Sequence, residues 1–159
     1  MNYLGIDPGL TGALALITPS GELLAVEDMP TLNTGTKSRK EIDGAALVGM
    51  LEDWRAYHGE FRAVLEAQRS MPNQSAQSGH KTGKGFGLII GVLCAMKVPY
   101  ATVRAQKWQG AVLGKIPKGT SKDHARAKAS QTFPEANLGT RKTQDRPDAI
   151  CIALYGVTG

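Results

Sequence analysis

The sequence predicts an α/β domain with a mixed five-stranded sheet flanked by helices. Three strand-like apolar runs occupy residues 2–30, and two more follow later, each after a segment with helical periodicity. No internal repeat and no linker divides the chain, so we expect residues 1–159 to form a single domain.

The first three predicted strands form an antiparallel meander. The runs are NYLGID, TGALALIT and ELLAVEDMP, with a Pro-Gly turn after the first and Pro-Ser-Gly before the third. Proline and glycine at such positions are typical of tight turns between neighbouring strands. A polar, basic loop, TLNTGTKSRK, is expected to follow.

A helix and a fourth strand come next. In IDGAALVGMLEDWRAYHG, apolar residues recur at spacings of three and four, which predicts an amphipathic helix that ends near Gly59. These residues are Ile42, Ala45, Ala46, Met50, Leu51, Trp54 and Tyr57. The strand FRAVLEA then ends near Glu66, and its helical connection predicts parallel pairing beside the first strand.

The second half of the chain is predicted to be mainly helical. A Ser-, Gln- and Gly-rich loop leads into the helix FGLIIGVLCAMK, and YATVR makes the fifth strand. Three shorter helical segments follow: AQKWQGAVL, SKDHARAKASQTF and RPDAICIALYG.

Composition excludes some classes of protein. No apolar run approaches the roughly 20 residues of a membrane-spanning helix, since the longest is interrupted by two glycines and a lysine. The first strand begins at residue 2 or 3, so we expect no targeting peptide and a cytoplasmic location. Cys94 and Cys151 lie in apolar runs and are expected to be reduced core thiols.

Positive charge is concentrated in the middle of the chain. Residues 67–144 contain 13 Lys or Arg against 2 Asp or Glu, a net charge of +11, whereas residues 1–66 contain 5 against 10. This asymmetry favours a polyanionic partner over the alternative of a lysine-rich surface that only confers solubility. The basic segments HKTGKG and GKIPKGTSKDHARAK are expected to be mobile loops that follow a phosphate backbone.

Four acids lie at the ends of predicted elements. Asp7 ends the first strand, Glu66 ends the fourth, and Asp145 and Asp148 begin the last helix on one face. Each has a simpler interpretation as a turn residue, a solvated strand end or a helix-capping acid. Together, beside a basic segment, they favour a site for Mg²⁺ or Mn²⁺ that faces a phosphate substrate.

The acidic motifs resemble those of a known family. In order, GIDPGLTGALAL, VLEAQ and DRPDAICIAL are similar to the three acidic motifs of the RuvC-type Holliday-junction resolvases, which belong to the ribonuclease-H-like superfamily. The stretch over residues 104–156 is most similar to phage-encoded and plant-chloroplast members.

The resemblance implies a structure-selective DNA endonuclease that resolves four-way junctions. It places the metal-binding acids at Asp7, Glu66, Asp145 and Asp148, with two Mg²⁺ ions per site and Mn²⁺ as a substitute. Paired symmetric nicks would leave 5′-phosphate and 3′-hydroxyl ends. Lys122 is expected to stabilise charge on the phosphorane, and His124 is either a proton shuttle or a bystander.

Branched DNA and a second copy of the chain are the expected partners, with no membrane and no nucleotide cofactor. The expected phosphate contacts are Lys81, Lys84, Lys107, Lys118, Lys122 and Arg126. A bacterial member has an aromatic wedge three residues after its glutamate, where this chain has Arg69, so Arg69 or Met71 is the candidate for that role. The outer side of FGLIIGVLCAMK, with Leu88, Val92 or Met96, is the candidate homodimer surface.

Three alternatives are weighed against this interpretation. A kinase-like ATPase needs a second domain that 159 residues do not supply. A non-catalytic junction-binding module has no need for four acids. An RNA-processing nuclease of the same superfamily shares the size, the fold and the acids, so the acids alone do not distinguish it.

Overall fold

The computed structural model describes residues 1–35, 39–68, 75–136, 138 and 145–159. Its central sheet has five strands in the order β3-β2-β1-β6-β7. These are β1 (Asn2–Asp7), β2 (Ala13–Ile17), β3 (Leu23–Asp28), β6 (Phe61–Glu66) and β7 (Tyr100–Val103). The short strands β4 (Thr31–Asn33) and β5 (Lys40–Ile42) pair separately.

Strand directions agree with the predicted mixed sheet. β1, β2 and β3 pair antiparallel, whereas β1 with β6 and β6 with β7 pair parallel. The predicted crossover is confirmed, since β6 lies beside β1 with Ile6 opposite Leu65. The carboxyl ends of β1 and β6 therefore reach the same edge of the sheet.

Helices cover both faces of the sheet. Alternate residues of β1 and β2, such as Leu4 and Leu16, pack in one core with α1 (Gly44–His58) and α2 (Ala76–Ala95). On the opposite face, Ala13 and Ala15 pack against α5 (Arg146–Thr158). The helices α3 (Ala105–Val112) and α4 (Ser121–Thr132) and a 3₁₀ turn at Pro134–Ala136 complete this layer.

Two glycines allow α5 to lie directly on the sheet. A Cβ atom at Gly5 would be 2.2 Å from the Ala149 carbonyl oxygen and 2.4 Å from the Ala153 nitrogen. A Cβ at Gly156 would be 2.8 Å from the Tyr3 ring. No larger residue fits either position without moving the helix, so these glycines fix the distance from α5 to β1.

The predicted first helix is confirmed, but part of its predicted apolar face is wrong. Asp43 caps α1 by accepting a hydrogen bond from the Ala46 N–H at 3.0 Å, and Gly59 ends the helix. The buried residues of α1 are Leu47, Leu51 and Trp54. The face of α1 that packs on the sheet carries Leu47, Leu51 and Trp54, which are spaced by four and then three residues. The opposite face is exposed to solvent and carries Ala45, Ala46 and Tyr57.

Two segments predicted to be loops have regular structure. Part of TLNTGTKSRK forms the hairpin of β4 and β5, in which Ile42 is buried against α2. The segment HKTGKG is helical, because α2 begins at Ala76 under a Ser75 cap that accepts from the Ser78 N–H at 3.1 Å. The prediction of a mobile loop there is therefore wrong. It is also wrong for the second half of GKIPKGTSKDHARAK, because SKDHARAK begins α4.

The two cysteines differ in their exposure to solvent. Cys151 is buried as expected, and burial together with the charge of Asp148 raises the pKa of its thiol to about 12. Cys94 is exposed, so its predicted core location is wrong: it lies on the outward side of α2. Neither forms a disulfide. Among the helices of the described ranges, none is both long enough and apolar enough to cross a membrane.

Candidate active site

Asp7 is positioned by the end of β1. Leu4 and Ile6 are fully buried, so the alternation of the strand and the turn that follows it fix where Asp7 emerges. Pro8 and Gly9 stop the strand, and Gly9 has a φ of 130°, in the left-handed region that suits glycine. The carboxylate is thus held at the sheet edge, partly buried.

Asp145 and Asp148 reach the same point from the start of α5. Asp145 is the N-cap residue and Asp148 lies in the first turn, so one helical turn places both on one side. Carboxylate oxygens of Asp7, Asp145 and Asp148 all lie within 4.8 Å of one another. We call these three residues the acid cluster.

Arg146 fixes the start of α5 to the sheet. Its Nε donates to Asp28 Oδ1 at 2.7 Å, and its Nη2 lies 3.6 Å from Glu27 Oε2. The hydrogen bond to Asp28 raises the pKa of Arg146 further, so the guanidinium stays charged. This contact ties the acids of α5 to β3 without using a cluster carboxylate.

Glu66 lies beside the acid cluster and is held by a tryptophan. The indole Nε1 of Trp108, on α3, donates to Glu66 Oε2 at 2.6 Å, and Trp108 is buried. Burial raises the pKa of Glu66, while the Trp108 bond and the charge of Lys122 oppose that rise. One carboxylate oxygen of Glu66 is thereby fixed. Sequence reasoning missed Trp108, because an apolar aromatic on a short helix is typical of a core residue.

Lys122 is the cation nearest the acid cluster. Its Nζ donates to Asp145 Oδ1 at 2.5 Å and lies 3.4 Å from Asp148 Oδ2. Burial opposes its charged form, but the bond to Asp145 and the charge of Asp148 prevail and raise the pKa of Lys122. The predicted lysine therefore does face the acids.

The carboxylates are crowded enough to compete for protons. Burial, followed by the charges of Asp148, Glu66 and Asp145, raises the pKa of Asp7 to about 8. Burial also raises the pKa of Asp148 to about 6, although Lys122 opposes the shift. One lysine does not neutralise this group of acids. Carboxylate oxygens are the donors that hard divalent cations prefer, so the residues fit such an ion.

Other predicted site residues lie elsewhere. His124 is exposed, and its Nδ1 lies 2.9 Å from the Thr120 carbonyl oxygen of its own helix. Arg126 is partly buried, and its Nε lacks a hydrogen-bond partner within the described ranges. Exposed positions are occupied by Lys81, Lys84, Lys107 and Lys118. Arg69 and Met71, the wedge candidates, lie outside the described residues.

The mixed five-stranded sheet with its flanking helices matches the ribonuclease-H-like class of fold. Within it, the chain is similar to RuvC of Thermus thermophilus bound to a Holliday-junction substrate. That match has a TM-score of 0.66 and 18% identity over 98% of this chain and 92% of RuvC. A second T. thermophilus RuvC structure matches with a TM-score of 0.60 and 20% identity, over 96% and 92% of the chains.

A viral protein gives the same result. Fowlpox virus resolvase, solved with Holliday-junction DNA, matches with a TM-score of 0.57 and 14% identity, over 99% of this chain and 97% of the resolvase. No protein-family model and no curated protein matches the chain. The predicted RuvC-type fold is confirmed, while similarity to phage and chloroplast members stays a prediction.

Proposed function

We propose that this protein is a metal-dependent DNA endonuclease that resolves four-way junctions by paired symmetric nicks. The observation that carries the proposal is the convergence of the acid cluster, with carboxylate oxygens within 4.8 Å of one another, at the sheet edge of a RuvC-type fold. Fold neighbours from a bacterium and a poxvirus were solved with Holliday-junction DNA, which supports branched DNA as the substrate.

Asp7, Glu66, Asp145 and Asp148 are the residues that would hold the ions. Bound divalent ions, Mg²⁺ or Mn²⁺ and two per site, supply Lewis acidity toward the scissile phosphate and a lowered pKa for the attacking water. Trp108 keeps one Glu66 oxygen fixed, and the other oxygen is the one that would bind an ion. Asp7 lies between strand and helix and faces all the other acids.

Lys122 has two roles in this proposal. It neutralises Asp145 and Asp148 before the substrate arrives, and it supplies positive charge to the phosphate once that is bound. Water attacks phosphorus, the bond to the 3′ oxygen breaks, and the products carry 5′-phosphate and 3′-hydroxyl ends. No side-chain nucleophile is needed.

The other predicted phosphate contacts are mostly exposed. Exposed Lys81 and Lys84 lie on α2, Lys107 on α3, and Lys118 before α4. Arg126 follows Lys122 by one helical turn. We propose that these residues bind backbone phosphates, in which case junction affinity falls steeply with salt, by a log–log slope of roughly 0.9 per duplex contact.

We also propose a homodimer that pairs two active sites on one junction. The candidate surface needs a correction, because Val92 is buried in the core and Met96 is partly buried, while Leu88 is 37% exposed. The exposed stripe of α2 is instead made of small residues four apart: Gly83, Gly87, Gly91 and Ala95. Cβ atoms at these glycines would meet nothing within 4 Å, so a second helix has room for close approach.

A cleavage assay on three substrates tests the function. The protein, with Mg²⁺ and in excess chelator, is incubated with a four-way junction, a linear duplex and structured RNA. We expect the wild-type protein to make metal-dependent, paired nicks in the junction and to leave the other two substrates uncut. The variants Asp7→Asn and Glu66→Gln should bind the junction as well as the wild type does but make no nicks. Preferential cutting of the RNA would favour the RNA-processing alternative, and full cleavage in chelator would refute the mechanism.

A further inference from the structure

A groove separates the β4–β5 hairpin from the N-terminal half of α2. It has a volume of about 410 Å³, and its walls include Arg39, Lys40, Lys81, Lys84, Leu10 and Phe86. We call it the hairpin groove. A cavity of this size is in the range that binds small ligands.

Specific contacts hold the hairpin at a fixed distance from α2. Glu41 Oε2 accepts a hydrogen bond from Lys84 Nζ at 2.6 Å. The side chain of Ile42 is buried against α2, and a Cβ at Gly85 would be 3.1 Å from Ile42 Cδ1. The Asp43 N–H donates to the Pro30 carbonyl at 2.9 Å and closes the base of the hairpin. The groove is thus part of the packed structure.

One end of the groove opens beside the acids. Gly9 and Gln68 line that end, and each follows an acid, Asp7 or Glu66, by two residues. Gln68 Nε2 donates to the Pro8 carbonyl at 3.0 Å, which joins the two strand ends. A DNA strand whose phosphate lies at the acid cluster therefore has its neighbouring nucleotides at the mouth of the groove.

The lining combines positive charge with exposed apolar surface. The lining contains four Arg or Lys side chains, two from the hairpin segment and two from α2, and one acid, Glu41. These five residues give the groove a net charge of +3. Beside them, Leu10 is 44% exposed and Phe86 is only partly buried. Cations bind phosphates, and an aromatic face stacks on a base of any sequence. A paired base inside a duplex has both faces covered, so only an unpaired nucleotide can use such a lining.

We propose that the hairpin groove binds unpaired nucleotides of the cleaved strand next to the scissile phosphate. This inference rests on the proposed nuclease function and names the form of DNA that the site takes. The proposal requires base pairs to open at the junction crossover, which would supply such nucleotides. The groove then holds the strand so that the phosphate stays at the acids.

Photo-cross-linking tests which residue the nucleotide contacts. A four-way junction carries a single 5-iodouracil beside the cut site and is irradiated with the wild-type protein in Ca²⁺ to prevent cleavage. We expect cross-links on the α2 peptide that contains Phe86, loss of the cross-link with Phe86→Leu, and none from a label inside a duplex arm. Cross-links that map only to other elements would overturn the assignment.

Affinity for single strands provides the second test, with a control lysine just beyond the other end of the helix. Fluorescence anisotropy measures binding of a short oligodeoxythymidine by Lys81→Gln and by Lys97→Gln, which lies two residues after the end of α2, about 20 Å of helix away from Lys81. We expect Lys81→Gln to weaken binding about fivefold and to lower the salt slope by roughly 0.7, while Lys97→Gln matches the wild type.

The outcomes separate the two proposals. If the wild-type protein neither binds nor cuts a junction with Mg²⁺, the nuclease function fails. If it does both, while Lys81→Gln behaves like Lys97→Gln and Phe86 is not cross-linked, only the hairpin groove fails as the nucleotide site.

Discussion

Replacing Asp7 by asparagine should make the metal-free protein more stable at neutral pH. The pKa of the Asp7 carboxyl rises from 3.8 to about 8, mainly through burial and then through the charge of Asp148. At pH 7 the folded protein therefore keeps a proton on this carboxyl that the unfolded chain has lost. Asparagine has nearly the same shape and never ionises, so the substitution removes this difference.

The size of the stability change follows from the difference between the pKa of Asp7 in the folded and in the unfolded protein. Each pH unit above the unfolded pKa of 3.8 costs the folded state about 1.4 kcal/mol, so the loss at pH 7 is about 4 kcal/mol. Neighbouring acids share the proton, so we expect Asp7→Asn to recover about 2–4 kcal/mol. For a domain of this size that raises Tm by about 5–15 °C.

The reasoning also predicts the direction in which the stability of the wild type changes with pH. Below pH 3.8 both states are protonated and Asp7 has no effect; as pH rises toward about 8 the wild type loses stability, and above that the loss stays constant. The advantage of Asp7→Asn should therefore grow from pH 4 to pH 8.

Thermal melts in chelator from pH 4 to pH 9 measure this effect. The matched control is Asp53→Asn at an exposed position of α1, and the effect of Asp7→Asn is taken as the difference from it. Mg²⁺ at 100 times its Kd should then stabilise the wild type by about 2.7 kcal/mol and leave Asp7→Asn unaffected. An advantage that does not change with pH, or a less stable Asp7→Asn protein at pH 8, would refute the reasoning.

Three further substitutions test other parts of the structure. Trp108→Phe removes the 2.6 Å bond to the glutamate and should weaken Mg²⁺ binding, measured by calorimetry, about tenfold; unchanged affinity would deny it a positioning role. Gly5→Ala puts a Cβ 2.2 Å from a backbone oxygen of α5 and should cost roughly 3 kcal/mol in a denaturant titration, whereas Gly49→Ala, which meets open space in α1, should be neutral or stabilising. Gly87→Glu, on the exposed stripe of α2, should give monomers in sedimentation that cut junctions poorly; a dimer of unchanged affinity would move the interface elsewhere.

Much of the site was predictable because its residues mark the ends of elements. Pro8 and Gly9 stop β1 directly after Asp7, and a parallel neighbour reached through a helix brings Glu66 to the same edge. The i, i+3 spacing placed Asp145 and Asp148 on one side of α5. Each of these patterns involves residues that are close together in the chain or the general rule for a helical crossover, so it can be predicted from the sequence alone.

What the sequence did not predict depends on contacts between distant segments. The indole of Trp108 has a polar N–H, but its partner is 42 positions away. The hairpin of β4 and β5 is anchored on α2 through Glu41 and Lys84, 43 positions apart. The glycines in the first half of α2 argue against a helix, and its cap at Ser75 and its packing on the hairpin override that propensity.

The close contact between Gly5 and α5 also bears on the order of folding. Asp7 and Asp148 are 141 positions apart in the chain, whereas β1, β2 and β3 pair with immediate neighbours. Closing so long a loop is slow, so we expect the meander to form first and α5 to dock late. In that order of events, the carboxylates of β1 and α5 come together, and repel each other, only after the rate-limiting step of folding. Divalent ions should therefore slow unfolding and leave the folding rate nearly unchanged, which makes the metal a determinant of kinetic lifetime.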